Sequence, residues 1–126
     1  MQNDAKNTRL EIGERSRRFA LAIITFIEGL DKKDWMVQVL GRQLLRSGTS
    51  VGANIVEARA GSSRKDFTNF YSYALKSANE TKFWLGLFKD SNKASVLQAQ
   101  TLVNEATELA NILGSSIIKL KGKEPV

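Results

Sequence analysis

The sequence contains no cysteine and no histidine in 126 residues, and its one proline stands at position 125. Without cysteine there are no disulfides, thiolate metal sites, iron–sulfur clusters or cysteine nucleophiles. Without histidine the chain lacks the commonest metal ligand and the side chain best suited to proton transfer near neutral pH. Ser-His-Asp and Cys-His catalysis, HExxH zinc sites and Glu-x-x-His di-iron bundles are excluded with them. No hydrophobic run spans a bilayer. The most apolar stretch, Phe19–Ile27, has nine residues with only Thr25 polar, against about 20 for a spanning helix. Arg15, Arg17 and Arg18 precede it as in a signal peptide, but Asp4, Glu11 and Glu14 spoil the positive region and no A-x-A-like site comes after Ile27. These absences predict a cytoplasmic protein that is not an enzyme, with no cofactor, no metal and no membrane partner.

What is present is positive charge. Lys and Arg number 19 against 13 Asp and Glu, a net of +6. The isoelectric point of about 9.8 passes the level, about 9, typical of nucleic-acid-binding domains. Residues 1–65 carry 12 basic and seven acidic side chains, and residues 66–126 carry seven and six. Solubility alone is a competing explanation, because small domains are normally kept a few charges from zero.

With no proline between residues 1 and 124, nothing interrupts helices from within. Apolar residues recur at three- and four-residue steps in four segments. The first runs from about Ile12 to Leu30 on Ile12, Phe19, Ile23, Phe26 and Leu30, with Ser16 in the gap. Asp31 to Asp34 reads as a turn in which either Asp can cap the second helix. That second segment runs from about Trp35 to Arg59 on Val37, Leu40, Leu44, Val51, Ile55 and Ala58. Its Ser47–Ala53 stretch contains Gly48 and Gly52, which cost about 2 kcal/mol relative to Ala inside a helix. The apolar phase continues through them, so close packing against a neighbour is expected rather than a break. Gly61 suits the position just past that helix. Ser63, with Asp66 three residues on, resembles a capping box. The third helix runs to about Lys89 on Phe67, Phe70, Tyr71, Ala74, Ala78, Thr81, Leu85 and Phe88, and Asp90–Lys93 is a turn. The fourth runs from about Ala94 to Leu120 on Ala99, Leu102, Ala106, Leu109, Leu113, Ile117 and Leu120. Short connections make consecutive helices antiparallel neighbours. The expected fold is all-α: a single-domain, up-down-up-down four-helix bundle over residues 1–126, ordered from about 10 to 120.

Some apolar surface exceeds what one stripe requires. Tyr73, Phe83, Trp84 and Leu87 on the third helix, with Leu21, Ile24 and Ile27 on the first, suggest an oligomer interface. A wide stripe in an ordinary bundle is the competing reading. Asn54, Glu57 and Glu80 are read as structural polar residues that fix helix register, or as plainly exposed ones. Arg15 and Arg18, Arg42 and Arg46, and the set Arg59, Arg64 and Lys65 are candidate phosphate contacts. No helix-turn-helix, zinc finger or RRM signature accompanies them, so any nucleic-acid contact would be electrostatic and led by shape.

The central block Gln43-Leu-Leu-Arg-Ser-Gly-Thr-Ser-Val-Gly-Ala-Asn-Ile-Val-Glu-Ala58 resembles the signature of the four-helix-bundle family named for 23S ribosomal-RNA intervening sequences. Ser63-Arg-Lys-Asp-Phe67 and Ala74-Leu-Lys-Ser-Ala-Asn-Glu80 resemble its next two elements. The similarity extends over about residues 10–120 and is most specific over 43–90. It implies a closed bundle, often a homopentamer, with no established biochemical activity. A related branch, the accessory protein of diversity-generating retroelements, is a basic pentamer that works with a reverse transcriptase and RNA. The Asn54–Glu57 block is nearer the intervening-sequence branch. The resulting expectation is a homo-oligomer that binds nucleic acid, RNA ahead of DNA. The alternative is a protein-interaction scaffold using its exposed aromatic surface.

Overall fold

In the computed structural model the backbone is described for residues 4–122 and the side chains for residues 12–122. The four amphipathic segments become α1 (Asp4–Glu28), α2 (Trp35–Ala60), α3 (Arg64–Asp90) and α4 (Val96–Gly122). There is no strand among the described residues. The start of α1 lies before the expected Ile12, because residues 4–11 contain neither Gly nor Pro to stop a helix.

The caps are set by short polar side chains. The Asp34 carboxylate accepts from the N–H groups of Met36, at 2.9 Å, and Val37, at 3.3 Å, while Asp31 accepts from the Lys33 N–H within the turn. Ser63 Oγ accepts from the Asp66 N–H at the start of α3. Each such cap contributes about 1 kcal/mol. Ser95 Oγ accepts from the Gln98 N–H, which moves the start of α4 to Val96 from the expected Ala94. Gly61 does end α2, but in extended backbone (φ −70°, ψ 157°) rather than the left-handed form usual for a helix-ending glycine. Space explains it: a Cβ there would stand 3.2 Å from Asp66 Cβ and 3.3 Å from the Ala58 carbonyl oxygen. The left-handed residue is Asn92 (φ 59°), after α3, a conformation Asn tolerates better than most residues.

Each helix packs against its two neighbours in the order α1, α2, α3, α4, and α4 returns to α1. The closed bundle crosses its own diagonal only through side chains. Phe26 of α1 and Phe88 of α3 meet edge to face, with ring centroids 5.9 Å apart. The expected stripes are buried nearly throughout; Leu30, Leu40, Phe67, Phe70 and Leu120 are half-buried at the margins. The glycines of α2 behave as their context implies. The helix is unbroken, Gly48 abuts the fully buried Ile23, and Gly52 abuts Ser16. Two small residues therefore let α1 and α2 approach closely. At the same level Thr81 Oγ1 of α3 lies 3.0 Å from Ser47 Oγ of α2. No buried side-chain nitrogen or oxygen lacks a partner among the described residues.

Candidate nucleic-acid interface

The candidate basic residues fall into three locations. Arg15 turns inward along α1 to meet α4. Its Nε donates to Glu105 Oε2 at 3.1 Å, and its Nη2 donates to Glu105 Oε1 at 2.7 Å and Glu108 Oε1 at 3.1 Å. The hydrogen bond to Glu105 raises the guanidinium pKa above its already high ordinary value, against the opposing effect of burial. Arg15 and Arg18 line one cleft of about 410 Å³ with Ala22, Thr101 and Glu105, but the Arg15 guanidinium is already engaged by Glu105 and Glu108 in closing the bundle. Arg18 lies in solvent beside Glu14.

Arg42 and Arg46 are exposed on α2. Arg46 reaches to 3.9 Å from Glu80, and Arg42 has no polar or charged partner among the described residues.

Arg59, Arg64 and Lys65 do come together, at the α2–α3 turn. Arg59 and Arg64 line an open cleft of about 520 Å³ with Ser62, Ser63, Phe67 and Leu120. The Arg59 guanidinium packs over Gly13, where any side chain would collide with it, and meets the Tyr71 hydroxyl. Burial pushes the Tyr71 pKa up, and Arg59 works against that rise. Lys65 is exposed beside the cleft on the first turn of α3.

Three further basic residues reach the same end of the bundle without having been singled out from sequence. Leu120 lies in the cleft, and its chain neighbours Lys119 and Lys121 are exposed at the same end of α4. Arg17 and Arg59 line a second cleft of about 560 Å³ between α1 and α2. The available signal was topological: an up-down-up-down chain returns the C-terminus of α4 to the α2–α3 turn.

The apolar and polar candidates divide in the same way. Tyr73, Phe83 and Leu87 are 49%, 58% and 36% exposed. Trp84 is only half-buried against the core, and its indole N–H donates to Glu80 Oε2 at 2.9 Å. Phe83 and Trp84 pack edge to face at 5.1 Å. Leu21 and Ile24 are exposed, whereas Ile27 packs against the core. Asn54 Nδ2 donates to the Ser50 carbonyl, one turn back. Glu57 is exposed with no polar partner among the described residues, so it does not join Asn54 and Glu80 in a network. No three Asp or Glu side chains converge as metal ligands among the described residues. Among the same residues no helix is long and apolar enough to cross a membrane.

Closed, antiparallel packing of α1 to α4 defines a four-helix bundle. The chain belongs to the 23S rRNA-intervening sequence protein family, whose model matches residues 8–115. It is also similar to a crystal structure of a protein of unknown function, from the S23 ribosomal protein family of Bacteroides thetaiotaomicron VPI-5482. The two share 39% identity over 84% of this chain and 97% of that one, with a TM-score of 0.79. Comparison with curated proteins produced no match.

Proposed function

We propose that this chain is a non-enzymatic, cytoplasmic homo-oligomer that binds nucleic acid through basic side chains, RNA ahead of DNA. The observation that carries the binding is the exposed basic set around the α2–α3 turn, Arg59, Arg64 and Lys65, in a chain of net charge +6. Its contacts are to phosphate, because nothing in the fold resembles a base-reading element. The ribosomal-RNA association in the family's name makes RNA the first probe to use. Binding of a labelled single-stranded RNA, measured by fluorescence anisotropy across salt, tests the reading. Affinity should fall steeply as salt rises, and an affinity indifferent to salt would refute phosphate contact. DNA of the same sequence should compete less well than RNA; equal competition would remove the preference for RNA.

Self-association is supported by the exposed Tyr73, Phe83 and Leu87 on one helix, side chains that a second copy of the chain would cover. The resemblance favours a pentamer. Light scattering at micromolar protomer should report an oligomer, and Phe83→Ser with Leu87→Ser should shift it toward monomer. A stable wild-type monomer would refute the reading. The same exposed aromatics support a second reading, an adaptor that docks another protein. Capture of one defined protein that survives nuclease treatment would favour it. The absence of His and Cys argues against an enzyme, since Glu57 and Glu80 have no recognisable catalytic companions.

A further inference from the structure

The charge of this bundle is divided along its length. The contacts of Gly48 with Ile23 and of Ser47 with Thr81 mark one level across α1, α2 and α3. The bond from Lys89 Nζ to Gln100 aligns α3 with α4 and puts that level near Glu108. On the side of the α2–α3 turn lie residues 12–22, 49–79 and 109–122, with nine basic and three acidic side chains. On the other side lie residues 23–48 and 80–108, with seven of each. Glu105 and Glu108 of the second group are bonded to Arg15 of the first; counted with it, the end at the α2–α3 turn holds nine basic and five acidic side chains, a net of +4, and the other half seven and five, a net of +2.

We infer that the phosphate contacts of the proposed nucleic-acid complex are made by this one end of the bundle. Arg17, Arg59, Lys65, Lys119 and Lys121 there meet an RNA sugar–phosphate backbone. The inference rests on the nucleic-acid reading above and adds to it the place of contact. Length makes the division matter. Helices of 26 and 27 residues are about 40 Å long, whereas charges in solution are screened over about 8 Å at physiological salt. A polyanion near one end responds to that end and not to the net charge of the chain. In the other half Lys93 meets Asp34 at 2.7 Å and Arg46 approaches Glu80 at 3.9 Å on the dividing line, while Lys32, Lys33, Arg42 and Lys82 share their half with the acidic Glu28, Asp31 and Asp90. In the basic half Arg17, Lys65, Lys119 and Lys121 are exposed and have no ion-pair partner among the described residues. The apolar surface is distributed the other way. Nine of the 13 exposed large apolar side chains among the described residues, Phe83 and Leu87 included, lie in the other half. Copies meeting there would leave the basic ends open.

Two variants of equal net charge test the inference. One carries Arg17→Gln, Lys65→Gln, Lys119→Gln and Lys121→Gln. The other carries Lys32→Gln, Lys33→Gln, Arg42→Gln and Lys82→Gln, all in the other half. Each takes the full chain from +6 to +2. Arg59 is left in place because it packs on Gly13 and Tyr71, and unchanged melting curves confirm that both variants fold. Four phosphate contacts to a single strand contribute a salt slope of about −2.8, or about fiftyfold in affinity between roughly 50 and 200 mM salt. The first variant should lose most of that slope for a labelled single-stranded RNA, and the second should keep it. Equal loss in the two variants would overturn contact at one end and leave nucleic-acid binding standing. No salt-dependent binding by the wild type would overturn both. Sedimentation of the wild type with phosphatidylserine vesicles, at a salt concentration that abolishes RNA binding, would reassign the basic end to a lipid surface.

Discussion

Replacing Gly48 by alanine separates two opposing effects that the structure makes calculable. In an open helix interior Gly→Ala stabilises by about 1 kcal/mol, because glycine loses more backbone entropy. At Gly48 the added Cβ would stand 2.9 Å from Ile23 Cγ1 and 3.1 Å from Ile23 Cγ2. Real Cβ atoms do not sit that close, and Ile23 cannot give way easily: it is fully buried, and branching at its own Cβ leaves one favoured rotamer in a helix. Overpacking of this kind costs about 1–3 kcal/mol, so the net effect of Gly48→Ala is a loss of about 0–2 kcal/mol. Gly114 is the reference, since nothing lies within 4 Å of a Cβ placed there. Gly114→Ala should gain about 0.5–1 kcal/mol. Thermal melts followed by circular dichroism, at one fixed protomer concentration because association shifts Tm, should separate the variants by about 2 °C or more. Gly48→Ala melting as high as Gly114→Ala would refute the claim that α1 and α2 are in contact at this glycine.

Arg15→Ala should destabilise by about 1 kcal/mol, since it removes a partly buried two-pronged ion pair to Glu105. Arg18→Ala, on an exposed pair, should stay within about 0.5 kcal/mol in the same urea titration. Glu80→Ala should cost about 1 kcal/mol and shift tryptophan emission, because the Trp84 indole loses its acceptor; Glu57→Ala should do neither. The Asp34 carboxylate is held below the usual carboxylate range by the hydrogen bond from Lys93, with help from the Val37 and Met36 N–H groups. A lowered folded-state pKa contributes stability that is present above the unfolded value of about 4 and is lost as pH falls through the folded value. Asp34→Asn keeps a competent cap but loses the ion pair, so its urea midpoint should lie below wild type at neutral pH and converge with it in acid. A gap that persists unchanged in acid would refute the assignment.

Periodicity alone carried most of the fold. The stripes of all four helices name the buried residues because each helix has only one direction in which to bury apolar surface, and short turns leave consecutive helices no choice but to lie antiparallel. Gly48 and Gly52 were legible for the same reason, since the apolar phase runs through them unbroken. What periodicity does not carry is the partner of a polar side chain. Arg15 and Arg18 look equivalent three residues apart, yet one finds Glu105 and Glu108 across the α1–α4 seam while the other pairs locally with Glu14. Trp84 looks like surplus apolar surface until Glu80, one turn earlier on the same helix, is seen to accept from its indole. Gly61 was expected for its backbone freedom and is required for its small size, which depends on where Asp66 comes to rest.

The candidate site changed most, and topology is the reason. Counted along the chain, the excess of +5 belongs to residues 1–65, which points to the first two helices. An antiparallel bundle cuts across that count. It places Arg42 and Lys33 in one half and Arg59 in the other, although all three belong to the same stretch of sequence. It also brings Lys119 and Lys121 to Arg59 from the far end of the chain. Charge summed over sequence has meaning only within a screening length, and a helix leaves that length in about five residues. For a bundle the relevant sum is therefore taken across the four helices at one level. On that sum the excess of the first 65 residues divides between the two ends of the bundle, with the larger part at the α2–α3 turn.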